Sequence, residues 1–114
     1  MRFKAVLARV GEKPTVVEIA DTLVGLEGAV GGDPGGMIQH LWDILPKPYT
    51  VFCKDRSQGT PWTTPEGWLG VHGDIFITRS GRMSFVYESL TEAEAAAIIE
   101  FMYAWARLRR QLKR

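Results

Sequence analysis

The residues best suited to chemistry lie between positions 56 and 72. Arg56, Gln58, Thr60, Trp62, Thr63, Thr64, Trp68 and His72 fall in a stretch otherwise rich in Gly, Pro, Ser and charge. Tryptophan offers a stacking surface, threonine directional hydrogen bonds, and arginine a bidentate phosphate donor. Together these suit a nucleobase, a cyclic nucleotide or a protein hot spot. Arg56, Thr60, Trp62, Trp68 and His72 are therefore the candidate ligand-binding residues. The competing reading is structural: Trp62 and Trp68 fold back to plug a sheet face that no helix covers.

Other chemistry-bearing groups point to packing. Gly31-Gly32-Asp33-Pro34-Gly35-Gly36 lacks the Lys-Ser/Thr ending of a phosphate-binding P-loop and the spacing of a dinucleotide fingerprint, so it reads as a turn. His40, His72 and Cys53, with Asp43 or Asp74, do not form the close ligand pairs of a metal site. A single cysteine forms no internal disulfide, and Cys53 beside Val51 and Phe52 reads as a small buried hydrophobe. With no activated nucleophile, acid pair or ligand set, the expectation is a protein that is not an enzyme and carries no cofactor or metal.

The C-terminal segment is different. Arg107, Arg109, Arg110, Lys113 and Arg114 place five positive charges in the last eight residues, and the rest of the chain has 9 basic against 13 acidic residues. Part of that charge complements a helix C-terminus. The remainder could meet phosphates, which gives a nucleic-acid-associated reading. Phe101, Trp105, Leu108 and Leu112 recur at i, i+4, i+7 and i+11, while Ile98, Ile99 and Met102 already supply a core-facing line. The surplus points to an interface, either a homodimer or a host protein. The alternative is a helix packed deeply enough to bury a wide arc.

These segments must be positioned by one domain covering residues 1–114, with a basic helical extension at 103–114. The net charge of +1 argues against a nucleic-acid mimic or coat, and 46% apolar content argues against a disordered chain. The longest apolar run, residues 95–106, is interrupted by Glu100 and falls short of the roughly 20 residues of a bilayer span. The basic start reaches Arg9 too soon for a signal peptide, so the expected setting is the cytoplasm of a host cell, away from membranes.

Residues 3–10 are apolar on both faces, as an interior strand would be, and a turn at 11–14 leads to a β-branched strand over 15–19. Asp21-Thr22 offers an N-cap for a short helix carrying Leu23, Leu26 and Val30, whose Gly25 and Gly28 suit a close approach to a sheet. Residues 37–45 fit either helix or strand. Strands follow over 49–53, 74–78 and 83–87, with a long loop over 54–73. Thr91 and Glu94 form a capping box that opens a helix over 91–112. The expected fold is α+β: a mixed or antiparallel sheet of four to five strands, one short helix, and one long C-terminal helix packed on one face.

The order of pieces resembles a known family. Residues 3–10, Pro14, Val17, Glu18-Ile19, Asp21-Thr22-Leu23 and Val30-Gly31-Gly32 look like its opening. Gly59-Thr60-Pro61, Gly73-Asp74-Ile75-Phe76-Ile77 and Glu88-Ser89-Leu90-Thr91 look like its close. The family is the domain of unknown function numbered thirty-eight forty-six, small proteins of phages, prophages and plasmids. The resemblance spans residues 1 to about 102. It implies a strand over 37–42 and a small phage or mobile-element accessory protein that works by binding. One concrete version is counter-defence by sequestering a nucleotide-like signal; another is blocking a host protein through the C-terminal helix. Asp33-Pro34-Gly35-Gly36 and the basic tail depart from the family pattern.

Overall fold

Alternation of side chains along three strands sets the architecture. The computed structural model describes residues 2–30, 38–41, 44–54, 68–71, 73–81 and 87–112. Six strands form one sheet: β1 (Arg2–Ala8), β2 (Thr15–Ala20), β3 (Ile38–Leu41), β4 (Tyr49–Lys54), β5 (Ile75–Ser80) and the two-residue β6 (Tyr87–Glu88). Five run in the spatial order β2-β1-β5-β4-β3, every described pair is antiparallel, and β6 joins β5 off that path. Helix α1 (Leu23–Ala29) follows β2, and α2 (Glu92–Leu112) is the last described element. The fold is α+β.

β1, β4 and β5 are apolar on both faces because each lies inside the sheet. Val6, Ala8, Val51, Cys53, Ile75 and Ile77 form one layer with Ile98 and Met102 of α2. Phe3, Ala5, Leu7, Phe52 and Phe76 form the opposite layer with Val30, and Leu26 and Ala29 of α1 pack against it. In that layer Phe52 stacks on Phe76 at 4.5 Å between ring centroids and meets Tyr87 edge-on at 5.1 Å. Both layers are thus built from alternate residues of the same strands, which is the period-two rule of a pleated sheet.

The N-terminal hairpin turns at Gly11, where φ is +81° and the Glu12 amide donates to the Arg9 carbonyl at 3.1 Å. β1 ends at Ala8, two residues before the sequence reading placed its end. The Val10 amide leaves the ladder and donates to the Asp74 carboxylate at 2.8 Å. Residues 38–41 form a strand, paired with β4 from Ile38↔Lys54 to Leu41↔Val51. The long-loop expectation over 54–73 changes at both ends. Lys54 belongs to β4, and the segment 68–70 makes a 3-10 turn whose Leu69 is buried, as is the following Val71. The described part of the last strand is Tyr87–Glu88; residues 82–86, which hold most of the strand expected over 83–87, lie outside the described residues.

The Thr22 hydroxyl caps α1 by accepting the Gly25 amide at 3.0 Å. The two helical glycines have different work. A Cβ at Gly25 would meet the Ala20 carbonyl oxygen and lie 2.9 Å from the Ala20 Cβ, so only glycine lets α1 seat this closely on β2. A Cβ at Gly28 would meet nothing within 4 Å. Gly28→Ala is therefore expected to stabilise the fold by up to about 1 kcal/mol through helix propensity alone. Gly25→Ala is expected to destabilise it by about 1–3 kcal/mol despite the same propensity gain. Denaturant midpoints of the two variants against the parent check the opposite signs.

Candidate functional site

α2 is the element that presents the surface, and its first turn decides which surface. The capping box closes in both directions: the Glu94 amide donates to Thr91 Oγ1 at 3.1 Å, and the Thr91 amide donates to Glu94 Oε1 at 3.0 Å. The second Glu94 oxygen, Oε2, accepts the Tyr49 hydroxyl at 2.6 Å and an Arg79 guanidinium N–H at 3.1 Å. Tyr49 and Arg79 face each other across β4 and β5, and Arg79 also pairs with Glu88 at 3.5 Å. Just before the helix, β6 takes over the edge of β5 at Arg79↔Glu88 and Ser80↔Tyr87. The following residues tie into β1, with Lys4 N–H donating to Ser89 Oγ at 2.9 Å and Leu90 N–H to the Lys4 carbonyl at 3.0 Å.

Sequence reasoning missed this cluster of ionisable side chains from separate elements. The capping motif flagged Glu94, but nothing local signalled that Tyr49 and Arg79 would converge on it from sites 45 and 15 residues away. The Tyr49 hydrogen bond leads the effects that lower the Glu94 pKa, with the Thr91 amide and Arg79 adding to it. The same bond to a carboxylate raises the Tyr49 pKa. The ionised form of the acid and the protonated form of the phenol are both favoured, and the grouping ties the helix start to β4 and β5.

With its start clamped, α2 buries Ala95, Ile98 and Met102 and leaves Phe101 48% and Leu108 54% exposed. The expected line of Phe101, Trp105, Leu108 and Leu112 therefore divides. Trp105 is half-buried against the α2-side core, because a 100° step per residue puts it next to Ile98 and Met102, and the Arg109 guanidinium lies 5.4 Å over its ring. The exposed stripe instead runs through Ala97, Phe101, Ala104 and Leu108. The Leu112 side chain, Lys113 and Arg114 lie outside the described residues; Arg107 and Arg110 are exposed.

Of the candidate ligand residues, Arg56, Thr60, Trp62 and His72 lie outside the described residues. Trp68 is described and half-buried. It sets its ring edge-on to Tyr103 of α2 at 5.9 Å, on the α2 side of the sheet rather than on a face without a helix. The adjoining Leu69 adopts φ 55°, ψ 30°, a left-handed conformation that costs a bulky residue about 1–3 kcal/mol and persists here because the side chain is buried. Cys53 is fully buried, and Asp74 serves the Val10 amide and Arg9. Among the described residues no three metal-ligating side chains come together, and none of their helices is long and apolar enough to cross a membrane.

No family model, curated protein or solved structure matches this chain.

The clamp has a pH signature. Because the Glu94 pKa is lowered in the fold, its contribution to stability is complete above the ordinary value of 4.5 and is lost as pH falls through the lower folded value. Glu94→Gln is expected to be less stable than the parent at neutral pH, with the gap closing only in that acid window. Urea unfolding at a series of pH values from neutral down to acid measures the gap directly.

Proposed function

We propose that this is a non-catalytic binding protein, of the small phage or mobile-element accessory kind that the family resemblance implies. It works by docking the outer stripe of α2 onto another polypeptide. The observation that carries this reading is the exposure of Phe101 and Leu108, 48% and 54%, on a helix whose opposite stripe already completes the core. A helix that presents two apolar stripes in a domain of this size has one more than its own sheet can cover. Ala97 and Ala104, alternating with the large side chains, leave room for a partner's side chains to enter.

Protein docking is preferred over sequestration of a nucleotide-like signal because Trp68 is engaged with Tyr103 and the core. The sequestering version keeps Arg56, Thr60, Trp62 and His72 as its residues. The nucleic-acid version rests on the exposed Arg107 and Arg110, which share the helix with the acidic Glu92, Glu94 and Glu100.

A photoreactive phenylalanine placed in the producing cell at position 108, and at the exposed position 13 as control, tests the reading. The expected result is a discrete polypeptide adduct from position 108, absent from position 13 and lost when Phe101→Asp is added. No adduct from position 108 overturns the proposal. A nucleotide-sized mass retained in native mass spectra would move the assignment to the sequestering version.

A further inference from the structure

The stripe on α2 has a pattern that names its partner. Its apolar members alternate small and large: Ala97, Phe101, Ala104, Leu108, spaced by four, three and four residues. That is the spacing of a helix–helix seam, with all four side chains exposed in the isolated chain. A second α2 laid against it in the antiparallel sense, with the two-fold axis between residues 102 and 103, sets Phe101 opposite Ala104 and Ala97 opposite Leu108. Each large side chain then meets a small one, and the four layers repeat by symmetry. A parallel pairing would instead put Phe101 on Phe101 and Ala104 on Ala104, leaving crowded layers next to empty ones.

Charge selects the same arrangement. One flank of the stripe carries Glu100 and, two turns on, Arg107, both exposed. In a parallel pair that flank would face the opposite flank of the second helix, which carries Ile98 and Trp105, and Glu100 would meet no base. In the antiparallel pair that flank meets its own copy in reverse. Glu100 then lies within a two-residue rise, about 3 Å along the axis, of Arg107 of the second copy. Two such pairs form by symmetry, and the helix dipoles also oppose.

We propose that the partner of the α2 stripe is a second copy of this chain, docked antiparallel through Ala97, Phe101, Ala104 and Leu108 with reciprocal Glu100–Arg107 pairs. This rests on the reading of that stripe as a protein-docking surface and identifies what it docks. The interface is isologous, the arrangement that closes with two chains and leaves no further sticky surface.

The test is light scattering on the purified full-length chain over a concentration series, with circular dichroism to confirm that each variant folds. The expected mass is twice the 12.8 kDa of one chain. Leu108→Glu and Phe101→Ser, both at exposed positions, are each expected to give folded monomers. Glu100→Arg sets two arginines against each other and is expected to raise the dissociation constant about tenfold or more. Adding Arg107→Glu reverses both members of each pair and is expected to restore the dimer, a rescue that a merely apolar or differently oriented contact would not show. A chain that is monomeric at every concentration overturns the proposal, as does a dimer indifferent to Leu108→Glu and Glu100→Arg. A monomer that still crosslinks to a different polypeptide from position 108 overturns self-docking alone. A monomer without any such adduct removes the docking reading as well.

Discussion

Which face of α2 is exposed depends on how one helix turn is held. Thr91 and Glu94 close on each other, Tyr49 and Arg79 reach the same carboxylate from adjacent strands, and Ser89 and Leu90 bond to Lys4 of β1. These contacts fix the position of the helix start and its rotation about its own axis. A single exposed ion pair contributes little, but Glu94 is mostly buried and shared among three donors, where charge-assisted hydrogen bonds count for more. Once the first turn is set, the 100° advance per residue assigns every later side chain. Ile98 and Met102 turn inward, and Phe101 and Leu108 turn outward.

The sheet imposes the other constraint. β5 is buried on both faces over Ile75, Phe76, Ile77 and Thr78, so apolar cover is required above and below it. α2 and the turn carrying Leu69 provide it on one side. On the other, Phe3, Phe52, Phe76 and Tyr87 form an aromatic layer, and the short α1 seats against β2 through Gly25. Buried hydroxyls at the same end of the sheet are satisfied within it: Thr78 donates to the Glu88 carbonyl, and Thr50 and Ser80 bond to each other. The polar groups of the strand ends are therefore spent on joining β6 to β5 and β4 to β5, which is also where α2 starts.

These constraints bear on function in one direction. Among the described residues, the grouping of Tyr49, Arg79 and Glu94 holds α2, with the charged form of the acid and the neutral form of the phenol favoured. The described outer face of α2 carries an apolar stripe with small and large residues in alternation, bordered by Glu100 and Arg107. On the proposed reading that stripe is self-complementary and needs no partner of different sequence.

The elements with strong local signals were readable in the amino-acid order. The capping box at Thr91 and Glu94, the cap at Thr22, the turn at Gly11, the double-sided apolar run of β1 and the strands β4 and β5 each depend on residues within a few positions, and each formed where the sequence placed it to within a few residues. The antiparallel order of the strands, the choice of strand over helix for 38–41 and the burial of Leu69 and Val71 inside an apparent loop were tertiary decisions. So was the division of the apolar line on α2, in which Trp105 went to the core and Phe101 and Leu108 to the surface. Periodicity shows that a helix carries two stripes, because it is a property of the chain alone. Which stripe faces the sheet is set by the rotation of the helix, and that rotation is fixed by contacts from Tyr49 and Arg79, residues far away in sequence that meet Glu94 only when the strands have paired.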